Sequence, residues 1–375
     1  MKNRLAQIED FGQSIWLDYI SRKFILSGEL KKMIDEDGLK GVTSNPAIFE
    51  EAISKNSDYD EALAQLTKTG SSAQDIFWSV ATEDVRNAAD ILQGVYKKTN
   101  GQDGYVSLEV SPELALDAGE TIAQARSLWK VVSRKNAMIK VPATKQGLLA
   151  IHELITEGIN VNATLLFSVN RYREVAEAYV DGLEKRAYVG RPLDNVASVA
   201  SFFLSRIDSF VDPLLEELAK NNDAKGAAAR KLIGKVAIGC AKQAYHVYKE
   251  VFSSERFKKL EEIGAKPQRL LWASTGTKNK SYSDVMYVDE LIGNNTVNTV
   301  PLQTWNAYRD HGNPALRLEE NIEEAQFVLE QLSELDIDLK SVSEKLEEEG
   351  LQKFIQPFQH LMHAIEQKRM EEVMI

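Results

Sequence analysis

Eight short runs rich in apolar and β-branched residues recur along the chain, and longer stretches with helical periodicity separate them. They read QSIWLDYI (13–20), LKGVTSN (39–45), YVSLEV (105–110), NAMIKVPA (136–143), INVNATLLF (159–167), VASVASFFLSRI (196–207), RLLWAST (269–275) and TVNTVP (296–301). Strands alternating with helices cannot pair as hairpins and build a parallel sheet. Eight such units predict a closed (β/α)8 TIM barrel rather than an open doubly wound sheet. The first run is the weakest strand, since it could equally open a helix. Two connections, 46–104 and 208–268, are long and full of helix formers, which predicts inserted helices rather than unstructured loops. The segment 302–375 contains runs such as EENIEEAQFVLEQL and SEKLEEEGLQKFIQPFQHLMHAIEQKR. It reads as a C-terminal helical extension packed on the outside of the barrel, with charge-rich faces in water. The 375 residues suit one elaborated domain.

Composition excludes several function classes. A net charge of −11 argues against general nucleic-acid binding, which needs a cationic surface. No run approaches the eighteen apolar residues of a membrane span, and MKNRLAQIEDFGQS lacks the apolar stretch of a signal peptide, so a cytoplasmic protein without membrane contact is expected. The single cysteine, Cys240, forbids an internal disulfide and is expected to pack as a small apolar residue. Of five histidines only His360 and His363 have a helical spacing that could share a ligand, and an ordinary helix surface accounts for them. Gly-rich dinucleotide and P-loop fingerprints do not occur.

A barrel of this kind carries its chemistry at the C-terminal ends of its strands, where this chain has an unusual set of polar residues. Asp18 lies in WLDYI, Thr43 and Asn45 in VTSNP, Glu109 in SLEV and Lys140 in IKVP. In INVNATLL, Asn160, Asn162 and Thr164 alternate with Ile159, Val161, Ala163 and Leu165, so one whole strand face is polar. Each has a plainer explanation. Asp18 could cap a helix, Asn45 before Pro46 suits a turn, and Glu109 could be an edge carboxylate paired with Lys140. Together, though, a lysine, two carboxylates and several amides and hydroxyls from different strands converge only at the barrel mouth.

Such a set supports covalent catalysis by an amine. A lysine in an apolar site loses stabilisation of its charged form, and its free amine can attack a carbonyl carbon. The resulting iminium withdraws electrons and permits cleavage of a neighbouring carbon–carbon bond. Glu109 is suited to the proton transfers at the carbinolamine, Asp18 to removing a hydroxyl proton, and Asn45, Asn162 and Thr164 to holding substrate hydroxyls. This chemistry calls for no metal and no cofactor. A metal-dependent aldolase would need clustered histidines, which the strands lack.

The segments VTSNPAIFE, VSLEVSPELALD, NAMIKVPATKQGLLAI, GINVNATLLFS and VASFFLSRID resemble, in order and approximate spacing, the signature segments of the transaldolase family, and they match best its long bacterial form. The resemblance covers roughly residues 10–300. It implies a class I Schiff-base barrel of the pentose phosphate pathway, with phosphorylated sugars as partners. Lys140 resembles the Schiff-base lysine and Glu109 and Asp18 the acid–base pair. Thr43, Asn45, Asn162 and Thr164 resemble the binders of sugar hydroxyls, and Ser201 and Arg206 the phosphate-binding pair of the sixth strand. Phe203 stands where relatives that act as simple aldolases have a tyrosine. The seventh strand departs from the pattern: WASTGTKNK keeps Ser274 but offers Lys278 where the family often has an arginine. A Schiff-base aldolase that releases its product and a catalytically silent sugar-phosphate binder are the alternatives, and a monomer or homodimer fits equally.

Overall fold

The computed structural model describes residues 2–373. Among them, β1 (Gln13–Asp18), β2 (Gly41–Thr43), β3 (Tyr105–Glu109), β4 (Ala137–Pro142), β5 (Val161–Leu166), β6 (Ser198–Phe203), β7 (Arg269–Ala273) and β8 (Thr296–Val300) form one closed barrel in chain order. Each strand is parallel to its neighbours, and β8 returns to β1. The ambiguous first run is a strand as far as Asp18; beyond it the Ser21 hydroxyl accepts the Phe24 N–H at 3.2 Å and starts a helix.

Helix signals shorten the other expected strands. The run 39–45 contracts to three residues because Asn45 caps the helix Pro46–Lys55, whose first position Pro46 fills without losing a hydrogen bond. The run 196–207 ends at Phe203, since the helix Ser205–Ala219 begins there. Arg206 therefore stands in the first turn of that helix and not on the sixth strand. The run 269–275 ends at Ala273, because Ser274 turns the chain with a left-handed backbone, φ 54°.

The long connections are helical as expected. Pro46–Lys55, Asp60–Lys68 and Ala73–Lys98 fill the first, and Ser205–Ala219, Ala224–Leu232, Val236–Phe252 and Glu255–Glu261 the second. Outward strand residues such as Val106, Ile139, Val141, Val161 and Ala163 are buried between barrel and helices. Inward residues follow from the register: Asp18 lies beside Thr43, Glu109 beside Lys140, and Lys140 beside Asn162. In the middle of the barrel the Trp16 ring takes the space a side chain on β2 would need. A Cβ at Gly41 would lie 2.5 Å from that ring, so only glycine lets β1 and β2 pair there.

At the N-terminal end the barrel is plugged by an ion pair. Arg269 donates to Asp103 at 2.8 Å, to the Ser14 hydroxyl at 2.9 Å and to the Gln102 carbonyl at 2.6 Å. Asp103 also accepts from Ser14 at 2.7 Å and from the Trp16 indole at 3.1 Å.

The C-terminal helices take two positions. Ile322–Glu334 packs against Val236–Phe252. The helix Leu339–Val373 touches elements that follow the C-terminal ends of β2, β3 and β6, and β5 itself, so it runs over the barrel mouth instead of keeping to the outer wall. One side of it supplies the reason: Val342, Leu346, Leu351, Phe354, Phe358, Leu361 and Ile365 are all buried. Gly350 lies close to the barrel, where a Cβ would come within 3.1 Å of the Phe167 ring.

Candidate active site

The register of β3, β4 and β5 sets Glu109, Lys140 and Asn162 in one row across the mouth, all facing inward. Lys140 is 4% and Glu109 5% exposed. The Lys140 ammonium donates to the Ser44 carbonyl at 2.9 Å and lies 3.3 Å from Glu109 Oε2. The approach to Glu109 is close enough for an ion pair but not aligned as a hydrogen bond, and neither carboxylate oxygen has a hydrogen-bond partner among the described residues. Beneath them a polar chain fixes the floor: Ser201 donates to Asn162 Oδ1 at 2.6 Å, and the Asn162 amide donates to the Ser107 hydroxyl at 3.1 Å.

Asp18 ends β1 on the same inner face. The Thr43 hydroxyl donates to it at 2.7 Å and lies 2.8 Å from the Thr299 hydroxyl of β8. Asp18 caps no helix; Ser21 does that. Asn45 does cap one, its Oδ1 accepting the Ile48 N–H at 3.1 Å, so it serves as a helix cap rather than a turn residue, and its amide N–H groups are left for other partners. Thr164 is fully buried and its hydroxyl has no partner among the described residues. Just beyond it β5 bulges, and Leu165 takes a left-handed backbone, φ 60°, an unusual conformation for a large side chain.

Burial governs the electrostatics. Desolvation pushes the Glu109 carboxyl up to about 7; Lys140 and Arg206 oppose the rise and Asp18 reinforces it. Asp18 is also raised, chiefly by burial, against the pull of Lys140 and the Thr43 hydrogen bond. Both carboxyls are thereby held closer to neutral pH than free ones, the range in which a side chain exchanges protons most effectively.

Arg206 stands beside this row. Its guanidinium carbon is 5.6 Å from the Phe203 ring and 5.7 Å from the Phe354 ring. One guanidinium nitrogen is buried without a partner among the described residues. Ser274 lies 2.8 Å from the Ser205 hydroxyl, next to Arg206 in the chain. Lys278 is exposed and forms no ion pair among the described residues. It borders a recess of about 260 Å³ with Ser205, Asp212 and Tyr282, whose lining includes neither Lys140 nor Arg206. Cys240 is buried, as expected, and burial pushes its thiol up to about 12, so it offers no thiolate. His360 and His363 are both exposed on the terminal helix.

The family model of transaldolase/fructose-6-phosphate aldolase matches residues 15–365. The chain is 50% identical over 370 residues to a transaldolase of Trichodesmium erythraeum (strain IMS101), covering 98% of this chain and 97% of the relative. This chain belongs to the transaldolase/fructose-6-phosphate aldolase family. It is also 48% identical to transaldolase 2 of Nostoc sp. (strain PCC 7120 / SAG 25.82 / UTEX 2576), over 98% of this chain and 97% of the relative. A transaldolase of Saccharopolyspora erythraea is 46% identical over 98% of each chain. The family match extends well past residue 300, where the resemblance in the sequence motifs ends, and takes in most of the terminal helix.

Three residues at the mouth escape a motif-based reading. Ser107 lies two residues before Glu109 in YVSLEV, so the period of two already put it on the inner face. Thr299 in TVNTVP shares that signal more faintly. Phe354 has none, because it lies over two hundred positions from Lys140 in a segment that reads as an ordinary amphipathic helix.

Proposed function

We propose that the chain is a transaldolase of the pentose phosphate pathway acting in the cytoplasm. It would move a dihydroxyacetone unit from a ketose phosphate (sedoheptulose 7-phosphate or fructose 6-phosphate) to an aldose phosphate (glyceraldehyde 3-phosphate or erythrose 4-phosphate). Family membership supports the reaction class, since lysine imine chemistry is general to the family. The observation that carries the assignment of residues is the Lys140–Glu109 pair: buried, 3.3 Å apart, with carboxylate oxygens free of hydrogen bonds.

The steps follow from that geometry. The Lys140 amine adds to the ketose carbonyl, and Glu109 exchanges protons with the carbinolamine until water leaves and the iminium remains. Asp18 takes the proton of the hydroxyl on the far carbon of the bond to be broken. That bond cleaves, its electron pair passes into the iminium, and an aldose phosphate departs, leaving an enamine on Lys140. The enamine carbon then attacks the acceptor aldehyde, and the same proton transfers in reverse release the new ketose. Thr43, Asn45, Asn162 and Thr164 would hold sugar hydroxyls. Ser201, Arg206 and Ser274 would hold the phosphate end, with Lys278 reaching in from the next loop. Phe203 would keep an apolar ring beside the enamine.

Borohydride reduction in the presence of fructose 6-phosphate, followed by peptide mapping, tests the assignment. An adduct on Lys140 is expected, and an adduct on any other lysine would refute it. The second reading, an aldolase that releases dihydroxyacetone, is disfavoured by Phe203, which cannot hold or activate a water as a phenol would. Phe203→Tyr should shift flux from transfer to release.

A further inference from the structure

The Ser44 carbonyl, Glu109 and the Phe354 ring lie near the Lys140 amine, and the last belongs to no strand or strand-following loop. Phe354, on the helix Leu339–Val373, has its ring centre 5.7 Å from Lys140 Nζ and the same distance from the Arg206 guanidinium carbon. Its ring is 6.4 Å from that of Phe203, which in turn lies 5.5 Å from Phe167. The three rings make an apolar wall that joins the amine to Arg206, and Phe354 is only 5% exposed.

We infer that Phe354 is a specificity-determining residue of this site, whose ring closes the chamber over Lys140 and keeps proton-donating water from the enamine carbon. The inference rests on the Schiff-base reading above and adds a residue from outside the barrel to it. The enamine has two fates. It can attack an aldehyde carbon, which is transfer. Alternatively its carbon takes a proton, the iminium so formed adds one water, and dihydroxyacetone leaves as the Lys140 amine is restored. Both routes end when one water hydrolyses an iminium, but only the second puts a proton on the enamine carbon, so a ring that keeps proton-donating water from that carbon selects transfer.

Closure also implies an opening. With Lys140 almost wholly covered, a ketose carbon reaches Nζ only if a neighbour moves, and Phe354 is the neighbour carried by an element outside the barrel wall. Pro357 lies within the same helix and cannot donate to the carbonyl of Lys353, so the hydrogen-bond ladder is broken within one turn of Phe354. Gly350, against Phe167 on the other side, holds the preceding turn down. A bend that admits substrate is therefore expected in the turn bearing the ring.

The test compares Phe354→Ala and Phe354→Leu with the wild type in one assay. It measures release of free dihydroxyacetone from fructose 6-phosphate without acceptor, transfer to erythrose 4-phosphate, and the borohydride-trapped adduct on Lys140. Phe354→Ala should keep the adduct and raise the ratio of release to transfer by on the order of tenfold, a barrier change of about 1.4 kcal/mol. Phe354→Leu retains apolar bulk and should fold even if the alanine variant does not, with a smaller rise in the same direction. Phe358→Leu is the control, since that ring packs on Phe77 at 5.7 Å and should leave the ratio alone. An unchanged ratio in a folded Phe354 variant would overturn the inference, and so would an equal rise in Phe358→Leu, which would trace the effect to helix docking. A wild type that forms no Lys140 adduct would sink the Schiff-base reading itself, a result distinct from an unaltered ratio on an intact adduct.

Discussion

The two ends of the barrel each hold a buried cation beside a buried carboxylate, and they treat it in opposite ways. At the closed end Arg269 and Asp103 are each 5% exposed, and every contact is used: the guanidinium has three acceptors and the carboxylate three donors. At the mouth Lys140 and Glu109 are buried to the same degree, yet the carboxylate has no hydrogen bond and the amine only one, to a backbone carbonyl. A buried charge is tolerable when its hydrogen bonds are complete and reactive when they are not. The contrast fits a structural role for the first pair and the proposed catalytic role for the second.

Lys140→Arg should show the largest effect. A guanidinium keeps the charge but holds its proton to a pKa above ~12, so no nucleophilic amine forms. Turnover and the reducible adduct should both vanish, while circular dichroism and melting stay near wild type. A residual adduct would mean that another lysine carries the chemistry.

Glu109→Gln comes next and should slow adduct formation and breakdown together by ~10²–10⁴, the usual cost of losing a positioned acid–base group. Its titration offers a second check. With the free carboxyl pushed up to about 7, the ionised form needed to accept a proton becomes scarce at lower pH. Wild-type kcat/KM should fall as pH drops below about 7, and that limb should be missing from the glutamine variant. A limb that persists unmoved would assign it to another group, Asp18 first.

The reciprocal experiment breaks the other end. Arg269→Ala strands Asp103 without its counter-ion and should cost about 3–5 kcal/mol of stability in urea unfolding. In the folded fraction the Lys140 adduct should still form. A variant that is stable but inactive would show that the two ends are coupled and that the division drawn above is false.

Arg206→Ala should raise KM for fructose 6-phosphate by roughly ten- to a hundredfold, the worth of a ~1.5–3 kcal/mol charged hydrogen bond. Free dihydroxyacetone as donor, which has no phosphate, should be little affected. Equal effects on both donors would make Arg206 structural.

The smallest effect concerns a carboxylate between the two types. Asp208 accepts from Tyr287 at 2.7 Å and from the Ala237 N–H at 2.8 Å, yet burial still pushes it up to about 7. Because the folded state holds this proton more tightly than the unfolded chain, its contribution is fully present below the ordinary carboxylate range. It is lost as pH rises through about 7. Asp208→Asn should flatten the decline of unfolding free energy across that window, by at most about 1.4 kcal/mol per pH unit. An unchanged slope would show that its two hydrogen bonds compensate for burial.

Much of this was legible in the chain alone, because its signals are local. The period of two along IKVP and INVNATLL puts Lys140, Asn162 and Thr164 on one strand face, and eight alternating units leave little but a barrel to join those faces. Strand ends were read less well. Asn45 and Ser274 carry helix or turn signals strong enough to stop a strand, while the helix after β6 starts without a side-chain cap, and an apolar run alone does not reveal where the strand gives way. Only the tertiary structure decided how the mouth is finished. That Glu109 lacks hydrogen bonds while Asp103 has three depends on what other strands bring to each. That Lys278 shares a recess with Tyr282 and Asp212 depends on how its loop is clamped to a neighbouring helix. The terminal helix makes the same point: its amphipathic pattern guaranteed that one side would be buried, but hydrophobic burial has no direction of its own, and nothing in the pattern said that the surface beneath it would be the one holding Lys140.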